Sequence, residues 1–274
     1  MNVNREIAAA LRRGFREPRH FVLAVSGGPD SQCLLKAFPH IAVPLGHTVS
    51  AIGINHGLRP EAGAELDLAE RLAEQCGVPF RRVQLSVDPG PNLQHRARDA
   101  RYQALRTWGR WSGRSAVEHG DFIVTAHHAD DKAETVMIRL LRGVGAGAMG
   151  VLPELSGDLF RPMLHLRRTD VLAYLERWGV QYASDPSNLD EKYLRVWLRR
   201  KVMPLLTERS PRIVEKLCHV ADDELFINAM YHGNNLDDIL PHARRIRSEI
   251  RRPHEAYNAP AMESSCGVFE PDED

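Results

Sequence analysis

Short apolar runs alternate along the chain with longer amphipathic stretches, and this alternation predicts strands and helices in turn. Between the runs, apolar residues recur at helical spacing, as in residues 61–76, where a helix is expected to stop at Gly77. Strands that alternate with helices of this length are typical of a parallel sheet covered on both faces. The pattern therefore predicts an α/β fold with a doubly wound parallel sheet. Four runs have the length and branching of buried strands: residues 22–25, 49–54, 80–85 and 122–126.

The pattern changes after Gly143, because four glycines fall within residues 143–150. Residues 161–206 return to helical periodicity with a turn at Asp185–Pro186, and residues 213–231 predict one more helix. The end from Pro253 is rich in proline, serine and acids and is expected to be disordered. We therefore divide the chain into an α/β domain at 1–152, a small helical region at 153–211 and a short C-terminal extension at 212–274.

Charge is balanced over the whole chain but not along it. The 274 residues include 36 Lys or Arg and 36 Asp or Glu, so global attraction to nucleic acid is not indicated. Residues 92–114, however, hold six arginines and a single acid, and residues 161–204 hold nine basic side chains against five acids. These segments predict either RNA binding along one face or ordinary solvated helix faces.

The cysteines and the hydropathy profile predict the cellular location of the protein. Cysteines stand at positions 33, 76, 218 and 266, with no CxxC pair and no metal-ligand spacing. A reducing, cytoplasmic location is therefore expected. The N-terminal segment has no apolar core long enough for a signal peptide, and no apolar run reaches transmembrane length, so no membrane partner is expected.

A glycine-containing turn, SGGPDS, follows the first predicted strand directly and precedes a predicted helix. Glycines let the backbone approach a polyanion closely, and the first amides of the helix present unpaired donors with the positive end of the dipole. The alternative is a plain chain reversal. The turn fits neither GxxxxGK followed by Ser or Thr nor GxGxxG, which excludes Walker and Rossmann loops. The candidate phosphate-binding residues are Ser26, Gly27, Gly28, Pro29, Asp30 and Ser31.

A carboxylate beside phosphates is repulsive unless it holds a cation or positions a reacting group, so Asp30 is a candidate magnesium ligand. A second motif follows the second predicted strand. It either frames the nucleotide or caps the following helix, and its candidate residues are Asn55, His56, Gly57 and Arg59.

The third motif, TAHHADDKAET, follows the fourth predicted strand and enters a helix, with the residues Thr125-Ala126-His127-His128-Ala129-Asp130-Asp131-Lys132-Ala133-Glu134-Thr135. Asp131 and Glu134 are three residues apart and share a helix face, where two carboxylates can clamp an ammonium group and help generate a neutral amine. His127 can donate to phosphate. A zinc site is disfavoured by the spacing, and helix capping by Asp130 is the structural alternative.

Arginines complete the candidate site. Arg195 and Arg199 lie one helical turn apart and can meet phosphate.

These motifs together carry a resemblance. SGGPDS resembles the PP-loop of the ATP pyrophosphatase superfamily, whose fold is of the adenine nucleotide alpha hydrolase type. HGLRP, ARDARY, HHADDKAET and the RP…DPSN…R segment resemble bacterial tRNA(Ile)-lysidine synthetases, in the same order over residues 21–206. Two departures stand out, Lys132 for a usual glutamine and Val196 for a usual asparagine.

The resemblance implies an ATP-dependent ligase that uses ATP and Mg²⁺. The C2 oxygen of the wobble cytidine of tRNA(Ile) with a CAU anticodon would be adenylated with release of pyrophosphate, and free L-lysine would displace AMP. Asp30, His127, Asp131 and Glu134 would be catalytic. Substrate contacts would come from Arg98, Arg101, Asp131, Glu134, Arg161, Arg195 and Arg199.

Two other functions stay open, a related PP-loop ligase with another acceptor and a nucleotide-binding paralogue without catalysis. The thiolase branch of the superfamily is disfavoured because the chain lacks paired cysteines. A homodimer is compatible with the sequence.

Overall fold

A computed structural model of the chain describes residues 1–55, 62–85, 93–109, 122–183 and 190–231. The expected disorder from Pro253 and the turn at Asp185–Pro186 fall outside the described residues. The first half contains α1 (Val3–Gly14), β1 (His20–Val25), α2 (Pro29–Ala42), β2 (Thr48–Asn55), α3 (Ala62–Gln75), β3 (Phe80–Gln84), α4 (Leu93–Gly109), β4 (Phe122–Val124) and α5 (Ala129–Leu141). The second half contains β5 (Leu155–Ser156), β6 (Leu159–Phe160), α6 (Arg168–Arg177), α7 (Leu194–Trp197), a π-helical turn (Leu198–Val202), α8 (Met203–Arg209) and α9 (Ile213–Tyr231).

The strands form one six-stranded sheet in the order β3-β2-β1-β4-β6-β5. All neighbours pair in parallel except β5, which runs antiparallel to β6 at the edge. The predicted α/β class and its parallel sheet are confirmed. The edge hairpin was not predicted, because two residues per strand are too few to show an alternating pattern.

Both faces of the sheet are covered because alternate residues of β1 are buried on opposite sides. Phe21 and Leu23 pack in one cluster with side chains of α1, α2, α3 and α6, whereas Val22 packs in another with Tyr102 and Leu105 of α4. Phe15 lies edge-on to Phe21 with ring centroids 5.0 Å apart. Such burial contributes on the order of 2 kcal/mol for each large apolar side chain, so β1 is a rigid base for the loop that follows it.

The predicted helix at residues 213–231 is confirmed as α9, and it packs on α5. Lys132 of α5 is only 3% exposed and forms an ion pair with Asp222 of α9. This side chain therefore points away from the acids that precede and follow it in the sequence.

The helical region begins later than the periodicity predicts, at Arg168 rather than near Arg161. The amide of Arg161 donates to the carbonyl of Glu154 at 2.8 Å, which extends the pairing of the edge hairpin. Within the ranges that the structure describes, no helix combines the length and the hydropathy needed to cross a membrane.

Candidate active site

The turn after β1 has a shape that only glycine satisfies. Gly27 has φ +81°, and a Cβ built on it would lie 2.2 Å from the carbonyl oxygen of Glu65 in α3. Gly28 is the N-cap of α2, and Pro29 occupies the first turn, where its missing N–H costs nothing. The turn therefore lies in close contact with α3, and α2 begins at the carboxyl-terminal edge of the sheet.

The two serines brace this turn from inside. The Ser31 hydroxyl accepts from the amide of Ser26 at 3.2 Å and donates to the carbonyl of Gly28 at 3.0 Å. The Ser26 hydroxyl lies 3.3 Å from that of Ser31. Because the first-turn amides of a helix lack intrahelical acceptors, the braced turn presents donors suited to an anion.

The helix α5 starts at the end of β4 through a capping box. His128 is the N-cap, its backbone amide donates to Asp131 Oδ2 at 3.1 Å, and its Nδ1 accepts from the amide of Asp131 at 3.4 Å. Asp130 does not cap α5, so the structural alternative for this residue is wrong. His127 lies on the other side of the turn, 2.9 Å from the hydroxyl of Thr125.

Asp130 instead binds the start of α6, a helix whose own capping box joins Arg167 and Asp170. It accepts from the amide of Arg168 at 2.7 Å and from the guanidinium of Arg167 at 3.0 Å. Burial acts to raise the pKa of Asp130, but the bonds from Arg167 and Arg168 outweigh it and hold this pKa below its usual value.

His128 has no exposed surface and lies among carboxylates. Its Nε2 is 3.6 Å from Asp30 Oδ1 and 3.5 Å from Asp131 Oδ2. Arg168 Nη1 lies 3.7 Å from the other oxygen of Asp30. One buried ring thereby stands between the turn that begins α2 and the first turn of α5.

The two acids beside His128 titrate differently. Burial raises the pKa of Asp30, and His128 and Arg168 offset that shift only in part. For Asp131 burial acts in the same direction, yet the charges of His128 and His127 and the bond from the His128 amide lower its pKa below the usual value. Asp131 is therefore a carboxylate at neutral pH.

Glu134 is engaged by arginine. Both of its oxygens accept from Arg199, from Nε at 2.6 Å and from Nη2 at 2.9 Å, and its side chain is 2% exposed. Burial raises the pKa of Glu134, and this bidentate bond opposes the shift. Arg199 Nη2 also reaches Asp131 Oδ1 at 3.3 Å, and Arg195 donates to the Thr135 hydroxyl at 2.5 Å.

A cleft of about 380 Å³ opens at the carboxyl ends of the central strands. Its polar wall combines the turn, the end of β4, the start of α5, an acid of α3 and two arginines: Ser26, Asp30, Ser31, Thr125, His127, Asp131, Glu65, Arg101 and Arg195. Its apolar wall comes from β2, α3 and α4: Ile52, Ile54, Leu66, Tyr102 and Leu105. In parallel sheets this edge is the usual ligand site.

The structure brings most of the predicted site together. Glu134 and Arg199 lie behind Asp131 and do not line the cleft. Arg161 is buried elsewhere and donates to the carbonyl of Pro153 at 2.8 Å. Asn55 ends β2, where its carbonyl accepts from the amide of Leu85. Outside the described residues lie His56, Gly57, Arg59 and the side chain of Arg98.

Sequence reasoning missed His128, Arg167 and Arg168. His128 could have been singled out by its place just before a predicted helix, since the residue before the first turn caps it. The two arginines carry no local signal, because a basic pair at the start of a helix is also typical of a solvated surface.

Asp30 fits the part of a single protein ligand for magnesium. Mg²⁺ at nucleotide sites is held by one or two carboxylates together with phosphate oxygens. Asp30 lines the cleft, and its Oδ1 is buried with no hydrogen-bond partner among the described residues. In the same part of the chain, no three His, Cys, Asp or Glu side chains are grouped to hold a metal ion by themselves.

The contact of Asp130 with the start of α6 gives a pH-dependent prediction. We expect Asp130→Ala to lower the free energy of unfolding by about 2 kcal/mol at pH 7, since it removes charge-assisted hydrogen bonds to Arg167 and Arg168. The pKa of Asp130 is lowered in the folded state, so its stabilisation is present above the unfolded pKa of about 3.9 and is lost as pH falls through the folded pKa. Urea unfolding across this pH range measures both quantities.

In that experiment the difference in free energy of unfolding between the Asp130→Ala variant and the parent chain should shrink as pH falls below about 3.9, the unfolded pKa of an aspartate. A difference that stays constant with pH would contradict the assignment. Asp190→Ala is the matched control, because the Asp190 side chain pairs with Lys192 at the surface. It should change stability much less.

Among solved structures, the fold is similar to that of the U34-tRNA thiolase NcsA from Methanococcus maripaludis. The TM-score is 0.66 at 16% sequence identity, and the match covers 81% of this chain and 76% of that one. At this identity the likeness concerns the fold alone.

Curated relatives match in sequence as well. The tRNA(Ile)-lysidine synthase of Methylococcus capsulatus is 35% identical over 218 residues, which is 77% of this chain and 48% of that protein. The tRNA(Ile)-lysidine synthase of Rhodopseudomonas palustris is 41% identical over 192 residues, 68% of this chain and 54% of that protein. The chain thus spans about half the length of the curated relatives it matches.

The predicted resemblance is confirmed at the level of the domain. The PP-loop domain matches residues 1–206, a range that takes in the braced turn, the capped helix α5 and the arginines of α7 and the π-helical turn. The chain belongs to the PP-loop domain family.

Proposed function

We propose that this chain is an ATP-dependent ligase that joins L-lysine to C2 of the wobble cytidine of tRNA(Ile) through an adenylated intermediate. Membership of the PP-loop family supports the use of ATP. The identity to tRNA(Ile)-lysidine synthases over about three quarters of the chain supports the acceptor and the nucleophile. Because tRNA is the substrate, a cytoplasmic location is part of the proposal.

The observation that carries the proposal is that one cleft joins a phosphate-binding turn to an ionised carboxylate. The turn contributes Ser26 and Ser31, and α5 contributes Asp131 across the same opening. A triphosphate on the turn places its base toward the apolar wall, where Ile52 and Leu66 lie. An amine that reaches Asp131 then stands beside the activated group.

In the first half-reaction the braced turn and the start of α2 bind the phosphates. Mg²⁺, when bound by Asp30 and phosphate oxygens, supplies positive charge to the phosphates. Donors fixed before the reaction stabilise the charge that grows as the cytidine O2 attacks the α-phosphorus and pyrophosphate leaves. A ring oxygen leaves poorly, whereas AMP leaves well, so adenylation prepares C2 for attack.

In the second half-reaction Asp131 takes the ammonium group of lysine. Its lowered pKa keeps it ionised at neutral pH, so it holds the ammonium cation. One proton passes to solvent to give the neutral amine, which attacks C2. Asp131 accepts a second proton as the C2–N bond forms, and AMP leaves with the electrons of the C2–O bond. Glu134 is held by Arg199 and supports this site from behind. For Glu134 to contact lysine itself, Arg199 has to turn away.

The tRNA approaches, in this proposal, over the basic segment that follows the cleft. Arg195 lines the cleft with a side chain that is 42% exposed, and Lys201 and Lys192 lie near it in the sequence with side chains that are 58% and 66% exposed. Phosphate contacts of this kind position a nucleic acid without reading its sequence. Lys132, one of the two departures from the family pattern, pairs with Asp222 of α9 and does not line the cleft that holds Asp131.

The proposal is tested with the purified chain, Mg²⁺, ATP and radiolabelled lysine. We expect label to enter a tRNA(Ile) transcript with a CAU anticodon and to be found in a modified cytidine after digestion. The same transcript with uridine at the wobble position is the matched control and should stay unlabelled. Label in both transcripts, or binding of ATP with no labelled tRNA, would overturn the assignment.

A further inference from the structure

We propose that His128 is a positioning residue that ties Asp30 to Asp131 through its Nε2–H, and so fixes the phosphate site relative to the amine site. The inference rests on the proposed function only in assigning roles to the two acids. The geometry of the ring stands apart from it.

The tautomer of His128 follows from the cap of α5. Nδ1 accepts from the amide of Asp131, so its lone pair is in use and Nε2 carries the ring proton. Asp130 Oδ2 lies 3.7 Å from Nδ1, but its hydrogen bonds come from Arg167 and Arg168. The ring therefore has one donor to offer, and it points into the interior.

The donor faces two carboxylates, one on each side. Asp30 Oδ1 is 3.6 Å and Asp131 Oδ2 is 3.5 Å from Nε2. Among the described residues, Nε2 and Asp30 Oδ1 are both buried without a hydrogen-bond partner. A donor and an acceptor that face each other in this way need to close by only about 0.6 Å to form an ordinary hydrogen bond.

This placement makes the ring a spacer between two helices. Asp30 is in the first turn of α2 and Asp131 is in the first turn of α5. If Nε2–H holds Oδ1, the other oxygen of Asp30 is left to Arg168 and to the ligand in the cleft. Carboxylates that bind metals are commonly oriented by such outer hydrogen bonds, whose loss weakens metal binding about 10- to 100-fold.

Two substitutions of His128 separate its role as the N-cap of α5 from its proposed hydrogen bond to Asp30. His128→Asn keeps a side chain that is among the best N-caps but is too short to reach Asp30. His128→Gln carries a donor farther out but is a poor cap. We therefore expect the unfolding temperature of His128→Asn to be close to that of the parent chain, and the unfolding temperature of His128→Gln to be lower.

The decisive measurement is calorimetric affinity for ATP with Mg²⁺ and in EDTA. We expect His128→Asn to weaken binding of MgATP about tenfold and to leave binding of metal-free ATP unchanged, with His128→Gln weakened less. His40→Asn, at the exposed end of α2, is the matched control and should bind like the parent chain. The proposed hydrogen bond from His128 to Asp30 would be overturned if His128→Asn bound MgATP like the parent chain, or if its affinity for ATP fell equally with and without Mg²⁺.

A second measurement reads the ring directly. Nitrogen-15 NMR of the His128 imidazole should show the Nε2–H tautomer, and its resonance should shift in Asp30→Asn. An Nδ1–H tautomer would overturn the inference. Neither measurement involves tRNA or lysine, so failure of the proposed acceptor would leave both results interpretable.

Discussion

Asp30→Asn is expected to lower the rate of pyrophosphate release by about 10²- to 10³-fold, because it removes the charge that a fixed site presents to the reacting phosphates and their metal. The fold should survive. Burial raises the pKa of Asp30, which means that the folded state disfavours its ionised form. An acid with a raised folded pKa destabilises the protein at pH values above its unfolded pKa, so a neutral amide should leave stability at pH 7 equal or slightly higher.

Rates of pyrophosphate release and urea unfolding at pH 7 test both halves of this expectation. Asp158→Asn is the matched control, since Asp158 is a partly exposed carboxylate that pairs with Arg106 and does not line the cleft. It should retain the parent rate. A parent-like rate in Asp30→Asn would remove Asp30 from the mechanism, and a large loss of stability would assign it a structural role.

Gly27→Ala is expected to lower the free energy of unfolding by more than about 3 kcal/mol, which is large for one methyl group. Two causes add. The residue has φ +81°, a conformation that costs an L residue roughly 1 kcal/mol or more, and the new Cβ would lie 2.2 Å from the backbone carbonyl oxygen of Glu65. Backbone cannot swing aside as a flexible side chain does, so α3 has to move.

Gly77→Ala separates these causes. Gly77 also has a positive φ, +66°, but nothing lies within 4 Å of the position of its Cβ. It should lose only about 1 kcal/mol. Urea unfolding compares the two variants directly, and equal losses would show that the close approach of α3 to the turn is not as the structure has it.

Local pattern was sufficient to predict β1 to β4, four of the six strands of the sheet. The run at residues 49–54 became β2 (Thr48–Asn55), because a buried parallel strand is apolar over most of its length. The run at 80–85 became β3 at the edge of the sheet, where Val83 is the buried residue of the strand. The turn after β1 was equally visible. Its two glycines and its carboxylate stand where strand and helix meet, and that place in the sequence is also the place of the cleft.

The direction of side chains on α5 could not be predicted in the same way. Asp131 and Glu134 do share a face, but that face meets Arg199, which is 65 residues from Glu134 in sequence. Lys132 is adjacent to Asp131 and lies about 100° farther round the helix, where Asp222 of α9 meets it. Such pairings depend on how distant helices pack, which no local spacing encodes.

The way in which the chain splits ATP distinguishes adenylation of tRNA from other uses of ATP. Purified chain is given ATP labelled separately at the α and γ phosphates, Mg²⁺ and tRNA(Ile) with a CAU anticodon, with and without lysine. We expect pyrophosphate release that requires the tRNA, adenylated tRNA when lysine is omitted, and AMP once lysine is added. Release of ADP and phosphate, or of pyrophosphate without tRNA, would contradict this expectation.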